Sequence, residues 1–204
     1  MENKWNKLDR PLILASKSPR RKEILSCMGF SFTVKPPVIH NEESYISVSR
    51  IKDSVRELAR AKARSVAEQS RHSLVLGSDT VVVIDNRVIG KPLNRNDARD
   101  MLQRLSGRVH MVYSGVALIC AEINFERAAT ACSNVFFRTV SSWEINEYLT
   151  HDEYTDKAGA YAIQGRAMTF VDKINGCFYN VMGLPVTQTI DLFKAYSELL
   201  KGSV

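Results

Sequence analysis

Short apolar runs alternate along this chain with segments of helical period, and that alternation confines it to an α/β fold with a mixed β-sheet rather than a purely parallel one. Leu12-Ile13-Leu14-Ala15 is too short for a helix and reads as a buried strand. Ser16-Lys17-Ser18 follows, then Pro19, which suits the first helical position behind a serine cap. That helix carries Ile24, Leu25 and Met28 on one side and should stop at Gly29, after which Phe30 to Val34 alternates like a strand. From about Ser47 to Arg71, Ile51, Val55, Leu58, Ala59 and Val66 recur at the spacing of a long amphipathic helix, with Lys62 on the apolar stripe. Leu74 to Leu76 and Val81 to Ile84 read as two half-strands, and Asp85-Asn86-Arg87 turns the chain back through Val88-Ile89 as a hairpin. Ala98, Met101, Leu102 and Leu105 mark a helix that Gly107 can close. Val109 to Ala121 and Arg127 to Val140 read as paired antiparallel strands. Ser141 and Glu144 form a capping-box pattern opening a helix to about Leu149, and Pro185 to Leu200 closes the chain as a helix.

A chain of 204 residues is long enough for one good core, so a single domain over 1–204 is expected, with residues 1–10 as a flexible N-terminal extension. Hydrophobic residues at 45% and charged residues at 25% exclude a disordered or fibrous chain. Met1 to Asp9 has no apolar stretch of signal-peptide length, and no run approaches the roughly 20 apolar residues a membrane span needs. The expectation is a soluble cytoplasmic protein with no membrane partner. Cys27, Cys120, Cys132 and Cys177 lie far apart, without the close pairs of zinc sites or redox motifs, and are expected to be reduced thiols. A formal charge of +6 favours anionic partners, either nucleic acid or small phosphorylated molecules, and does not choose between them.

Four places could carry chemistry. Ser16-Lys17-Ser18-Pro19-Arg20-Arg21 lies where a strand feeds a helix N-terminus, a position that favours anions. Two arginines in a first helical turn oppose the helix dipole unless something negative binds beside them; the alternative is a solvated basic helix start. Gly77-Ser78-Asp79-Thr80 places a carboxylate inside a strongly apolar run, which demands a partner. Asp79 could hold a divalent ion or take a proton from attacking water, or it could accept backbone hydrogen bonds in a tight turn. Lys62 could serve a site or snorkel to solvent, and Lys91, in Ile89-Gly90-Lys91-Pro92, could be a ligand or part of a turn. Gln164, between Ile163 and Gly165, could set an amide against the N3–H and O4 edge of uracil or thymine, or against the similar N1–H and O6 pair of guanine, leaving pocket size to choose, or it could tie down its loop. His40, His72, His110 and His151 are scattered without metal-ligand spacing and read as bystanders. No Walker-type loop and no Gly-x-Ser-x-Gly elbow is present.

Taken in order, Leu12 to Arg21, Leu58 to Ala63, Gly77 to Thr80, Ile89 to Pro92, Leu105 to His110, Asp156 to Tyr161 and Val181 to Pro185 resemble the Maf (septum formation) family along nearly the whole chain. The resemblance implies an elongated α/β domain related to the inosine triphosphate pyrophosphatases, with two lobes around a nucleotide cleft. It implies a nucleoside triphosphate pyrophosphatase in which Asp79 is the catalytic acid-base residue, while Ser16, Arg20, Arg21, Lys62 and Lys91 line the triphosphate. Thr80 and Gln164, with Arg20, become positions that go with substrate choice. Ala160 to Gly165 is similar to the branch hydrolysing dTTP and UTP rather than the branch acting on 7-methyl-GTP, with Ala162 standing where that branch has glycine. At Val38-Ile39-His40-Asn41-Glu42-Glu43 the chain departs from the family's Asp-Ile-Asp-Glu, whose glutamate helps hold metal. Ungapped counting from Arg21 puts Asn41 there; two extra residues before Lys62 let Glu42 take the place, and Glu42 is the assignment made, with Asp79, for Mg²⁺ or Mn²⁺. A homodimer is implied by analogy. The rival reading is a nucleic-acid-binding or cell-division regulator without turnover, against which Arg20 and Arg21 are not interleaved with aromatic stacking platforms.

Overall fold

Leu12–Ala15 forms β1, buried along its whole length, and its four apolar side chains seed the sheet. The computed structural model describes residues 8–202. Within the expected extension over 1–10, residues 1–7 lie outside the described residues. Asp9 accepts a 2.6 Å hydrogen bond from the Tyr196 hydroxyl, and Arg10 pairs with Glu122.

Pro19–Cys27 is α1, with Ser18 as its N-cap and Pro19 in the first turn. The strand expected over Phe30 to Val34 shrinks to β2, Thr33–Val34. Phe30 leaves the pairing edge to stack on Phe193 at 4.3 Å, because burying its ring gains more than one further ladder step would. The long helix α2 is Ile51–Ala67, shorter than expected, with a turn of 3₁₀ helix at Val48–Arg50 before it. The two apolar half-strands are one continuous strand, β3 (Leu74–Ile84), with Asp79 in its middle rather than in a turn. Asp85 and Asn86, both at φ 52, make the hairpin turn into β4 (Arg87–Ile89).

α3 (Arg95–Leu105), β5 (Val109–Cys120) and α4 (Ser142–Tyr148) follow the periodicity closely, β6 (Phe125–Phe137) lies a few residues before the expected Arg127 to Val140, and α4 carries the complete Ser141/Glu144 capping box. Two elements were not anticipated. β7 (Val171–Asn175) pairs antiparallel with β6, and a short helix α5 (Phe178–Met182) precedes α6 (Val186–Lys201). The sheet runs β2-β1-β3-β5-β6-β7, with β4 on β3; β1 is parallel to β2 and β3, while β3/β4 and β6/β7 are antiparallel, which makes the sheet mixed.

The chain divides into two compact units: Met1–Asp79, Ser114–Ala131 and Gly183–Val204 form the first, and Thr80–Tyr113 and Cys132–Met182 the second. In the first, Ala59, Ala63, Val66 and Ala67 of α2 pack on Ile13, Ala15, Val75, Ala117 and Ile119. The small residues have a reason. A Cβ on Gly77 would lie 2.5 Å from the Ala59 carbonyl oxygen, so only glycine lets α2 sit this close to β3, and that proximity brings Lys62 down onto the strand.

In the second unit, Ala98, Leu102 and Leu105 of α3 are buried with Val82, Ile84, Ile89 and Val112. Beside them lies an aromatic group in which Phe137 meets Phe170 and Tyr161 edge-on, and His110 is enclosed with them. Burial drives the His110 pKa down from 6.5 to about 4, so the ring is neutral in the fold. The unfolded chain therefore binds a proton that the native state refuses between pH 6.5 and about 4, and stability falls as pH drops through that window. At roughly 1.4 kcal/mol per pH unit, the loss reaches about 3 kcal/mol. Urea unfolding measured from pH 7 to pH 4 should show this slope, and His110→Gln should flatten it; an equal slope in both proteins would show that other groups carry it.

Candidate active site

The first unit gathers most of the residues that the sequence singled out. β1 ends at Ala15, and the next residue, Ser16, is buried, its hydroxyl accepting from the Ser18 N–H at 3.1 Å and from the Arg21 guanidinium at 3.3 Å. The Arg21 Nε donates to the Gly183 carbonyl at 2.8 Å, so this guanidinium is held at two points rather than left to sweep solvent. The same carbonyl accepts from the buried Ser78 hydroxyl at 3.0 Å, and Ser78 also bonds the Gly115 carbonyl at 2.8 Å. Desolvation pulls the Arg21 pKa below its ordinary value; Asp79 raises it, Arg20 lowers it and Glu42 raises it. Arg21 thus lies near enough to feel each of the other three charges. The first turn of α1 holds no acidic residue, so Arg20 and Arg21 add their charge to a positive helix end.

Lys62 does not snorkel. Its ammonium is buried and donates to Asp79 Oδ1 at 2.7 Å and to Glu42 Oε2 at 2.8 Å. Asp79 is 8% exposed in mid-strand, and this cation is the partner that a carboxylate in an apolar run requires. Glu42 comes from the 3₁₀ turn Glu42–Tyr45. Asn41, the other residue weighed for that position, instead sits left-handed at φ 54 as the cap of the turn, its carbonyl accepting from Ser44. Two carboxylates converging on one ammonium form an oxygen donor pair suited to a hard divalent ion. Among the described residues there is no group of three or more His, Cys, Asp or Glu side chains arranged to hold a metal. A pair suffices for a hard divalent ion that takes its remaining ligands from substrate phosphates and water, so these two carboxylates could hold one.

Thr80, Lys91 and Gln164 belong to the second unit. Thr80 follows Asp79 along β3 and is partly exposed. Lys91 is exposed, with a 3.8 Å ion pair to Asp156 that is weak in solvent. Gln164 is exposed, and its loop is tied down by other groups: Glu153 Oε2 accepts from the Arg166 N–H at 2.8 Å, and the Gly159 N–H donates to the Gly90 carbonyl at 3.0 Å.

A family model described as Maf-like protein matches residues 11–196. The chain belongs to the Maf family. Among its relatives, a dTTP/UTP pyrophosphatase of Syntrophus aciditrophicus (strain SB) is 42% identical over 192 residues, 94% of this chain and 93% of that protein. A dTTP/UTP pyrophosphatase of Clostridioides difficile (strain 630) is 44% identical over 187 residues, 91% and 94% of the two chains. A HAM1 protein from Coxiella burnetii aligns over 93% of this chain and 99% of its own with a TM-score of 0.47 and 14% identity. Within this Maf chain, Lys62 is bonded to Asp79, and the Gly183 carbonyl joins Arg21 to Ser78, the residue before Asp79. No helix among the described residues is long and apolar enough to cross a membrane.

Proposed function

We propose that this protein hydrolyses dTTP and UTP to the monophosphate and pyrophosphate, with Asp79 as the base. The observation that carries the reading is the Asp79–Lys62–Glu42 arrangement beside Arg21, a buried acid and a cation cluster in one place, in a chain whose relatives are named dTTP/UTP pyrophosphatases. Ser16, Arg20 and Arg21 hold phosphate oxygens at the start of α1, where backbone N–H groups add to the guanidinium charge. Asp79 orients a water and accepts its proton as the water oxygen attacks the α-phosphorus. The bond from that phosphorus to the bridging oxygen breaks, and pyrophosphate leaves with its charge offset by Lys62, Lys91 and the arginines. Glu42 and Asp79 would hold Mg²⁺ or Mn²⁺, which supplies charge neutralisation on the phosphates. No serine or cysteine nucleophile is needed.

Gln164 reads the base, its NH₂ donating to O4 and its carbonyl accepting from N3–H, with Thr80 beside the catalytic acid contributing to the choice. Cytosine presents an amino donor and a bare N3, so a fixed amide meets donor with donor. A mispaired polar group costs about 1–3 kcal/mol, roughly 5- to 150-fold. The reading takes the protein to be a cytoplasmic homodimer acting on free nucleotides, not on nucleic acid. Measuring kcat/KM for UTP, dTTP, CTP, GTP and 7-methyl-GTP with released pyrophosphate as the signal is the test, and UTP and dTTP are expected to lead. Preference for a guanine nucleotide would put the chain in the other branch, and no turnover together with tight, steeply salt-dependent oligonucleotide binding would favour the regulator.

A further inference from the structure

The family-matching segment Leu105 to His110 has no role in the reaction above, yet His110 ends in an unusual place. It is 1% exposed on β5, its Nε2 lies 2.8 Å from the Tyr161 hydroxyl, and its ring sits edge-on to Phe137 and Tyr161 at 5.0 and 5.4 Å. The Tyr161 ring is itself edge-on to Phe137 at 5.0 Å, so this side chain is a plug set in the aromatic group with its one polar atom on His110. Tyr161 belongs to the segment that presents Gln164.

The backbone entering Tyr161 is strained. Gly159 stands at φ 74 and Ala160 at φ 59, and a left-handed alanine persists only where its surroundings over-determine it. The Ala160 N–H is bonded to the Lys157 carbonyl, and the Gly159 N–H to the Gly90 carbonyl, next to Lys91. A Cβ on Gly159 would lie in ordinary contact with the Tyr161 ring and Val82 at 3.4 Å, so the turn passes next to the plug. The Gln164 segment and the Lys91 segment are thus stapled together, and the Tyr161 side chain is the fixed point beneath both.

We propose that His110 is a positioning residue for base recognition: by bonding the Tyr161 hydroxyl it fixes the 158–165 segment, and with it the places at which Gln164 and Lys91 meet the nucleotide. This rests on the assignment of Gln164 to the base and Lys91 to the phosphates. Without the bond the strained turn relaxes, and the amide loses its fixed direction while Asp79 chemistry is untouched.

The test compares Tyr161→Phe, His110→Leu, His110→Gln and the double variant His110→Leu/Tyr161→Phe by kcat, KM and Tm with UTP, dTTP and CTP. Tyr161→Phe and His110→Leu should raise KM for UTP roughly 10-fold with kcat little changed, and shrink the UTP-over-CTP preference about 5-fold. His110→Gln, whose amide reaches the place of Nε2, should keep the preference. The double variant replaces both partners by apolar groups, so its Tm should recover relative to the single variants while the preference stays low. It also decides the matter if a single variant fails to fold. Single variants with wild-type preference, or a double variant in which preference returns with Tm, would overturn the proposal and leave the pair a packing element. A wild-type protein that prefers a guanine nucleotide would instead remove Gln164 from its role, and KM for that nucleotide in the same variants would then decide whether His110 positions the loop.

Discussion

Asp79→Asn is expected to lower kcat for UTP by about 10²-fold or more, the scale of losing a general base. The substitution keeps the shape of the side chain. Its amide oxygen can still accept from Lys62, and Glu42 keeps its own 2.8 Å bond to the same ammonium, so the buried cation is not stranded. The fold around β3 should therefore hold, with Tm moved by only a few degrees, because the costly event at such a site is an unpaired buried charge and none is created. What disappears is the negative charge that draws the proton from water. Steady-state kinetics and a thermal melt on the same preparation separate the two effects. Near-full turnover would remove Asp79 from the chemistry, and a collapse of Tm matching the fall in activity would make it a structural residue.

The residues of this site were legible one at a time and their meeting was not. An acidic side chain in an apolar run and a lysine on an apolar helical stripe each announce a buried charge seeking a partner, but only the packing of α2 on β3 shows that each is the other's partner. Gly77-Ser78 read as an interruption between half-strands because glycine weakens strands; here it is the point of closest approach of the helix, and the strand runs through. β7 escaped notice because Val171-Asp172-Lys173-Ile174-Asn175 is largely exposed and too mixed in polarity to show a period, its pairing with β6 being supplied by tertiary structure. The start of α4 was readable to the residue because Ser141 and Glu144 cap it locally. His110 was dismissed for lacking metal-ligand spacing; its bond to Tyr161 joins residues 51 positions apart and leaves no local signal. The Glu42 bond to Lys62 and the left-handed cap at Asn41 are details that spacing alone does not contain.

Lys62→Met should prove as damaging as loss of the base, for a different reason. Methionine keeps the length and apolar stem of lysine, so the packing of α2 on β3 survives, but Asp79 and Glu42 lose the ammonium they share. Glu42 is half-exposed and can turn to solvent, whereas Asp79 is left buried beside Gly77 and Ser78 with its charge unmatched. A broken buried pair costs about 3–5 kcal/mol, and Arg21, whose pKa Asp79 already raises, takes up part of the field. Stability should thus fall measurably without loss of the fold. Turnover should fall about 10²- to 10³-fold, the scale of removing one preorganised group that stabilises developing charge on the departing phosphates. The variant also frees two carboxylate oxygens that the ammonium had occupied. Mn²⁺ added without nucleotide should therefore raise Tm more in Lys62→Met than in the wild-type protein, since an ion bound only by the folded state stabilises by mass action. Wild-type turnover in the variant would remove Lys62 from the reaction, and equal Mn²⁺ shifts in the two proteins would show that Glu42 and Asp79 are not where the metal binds.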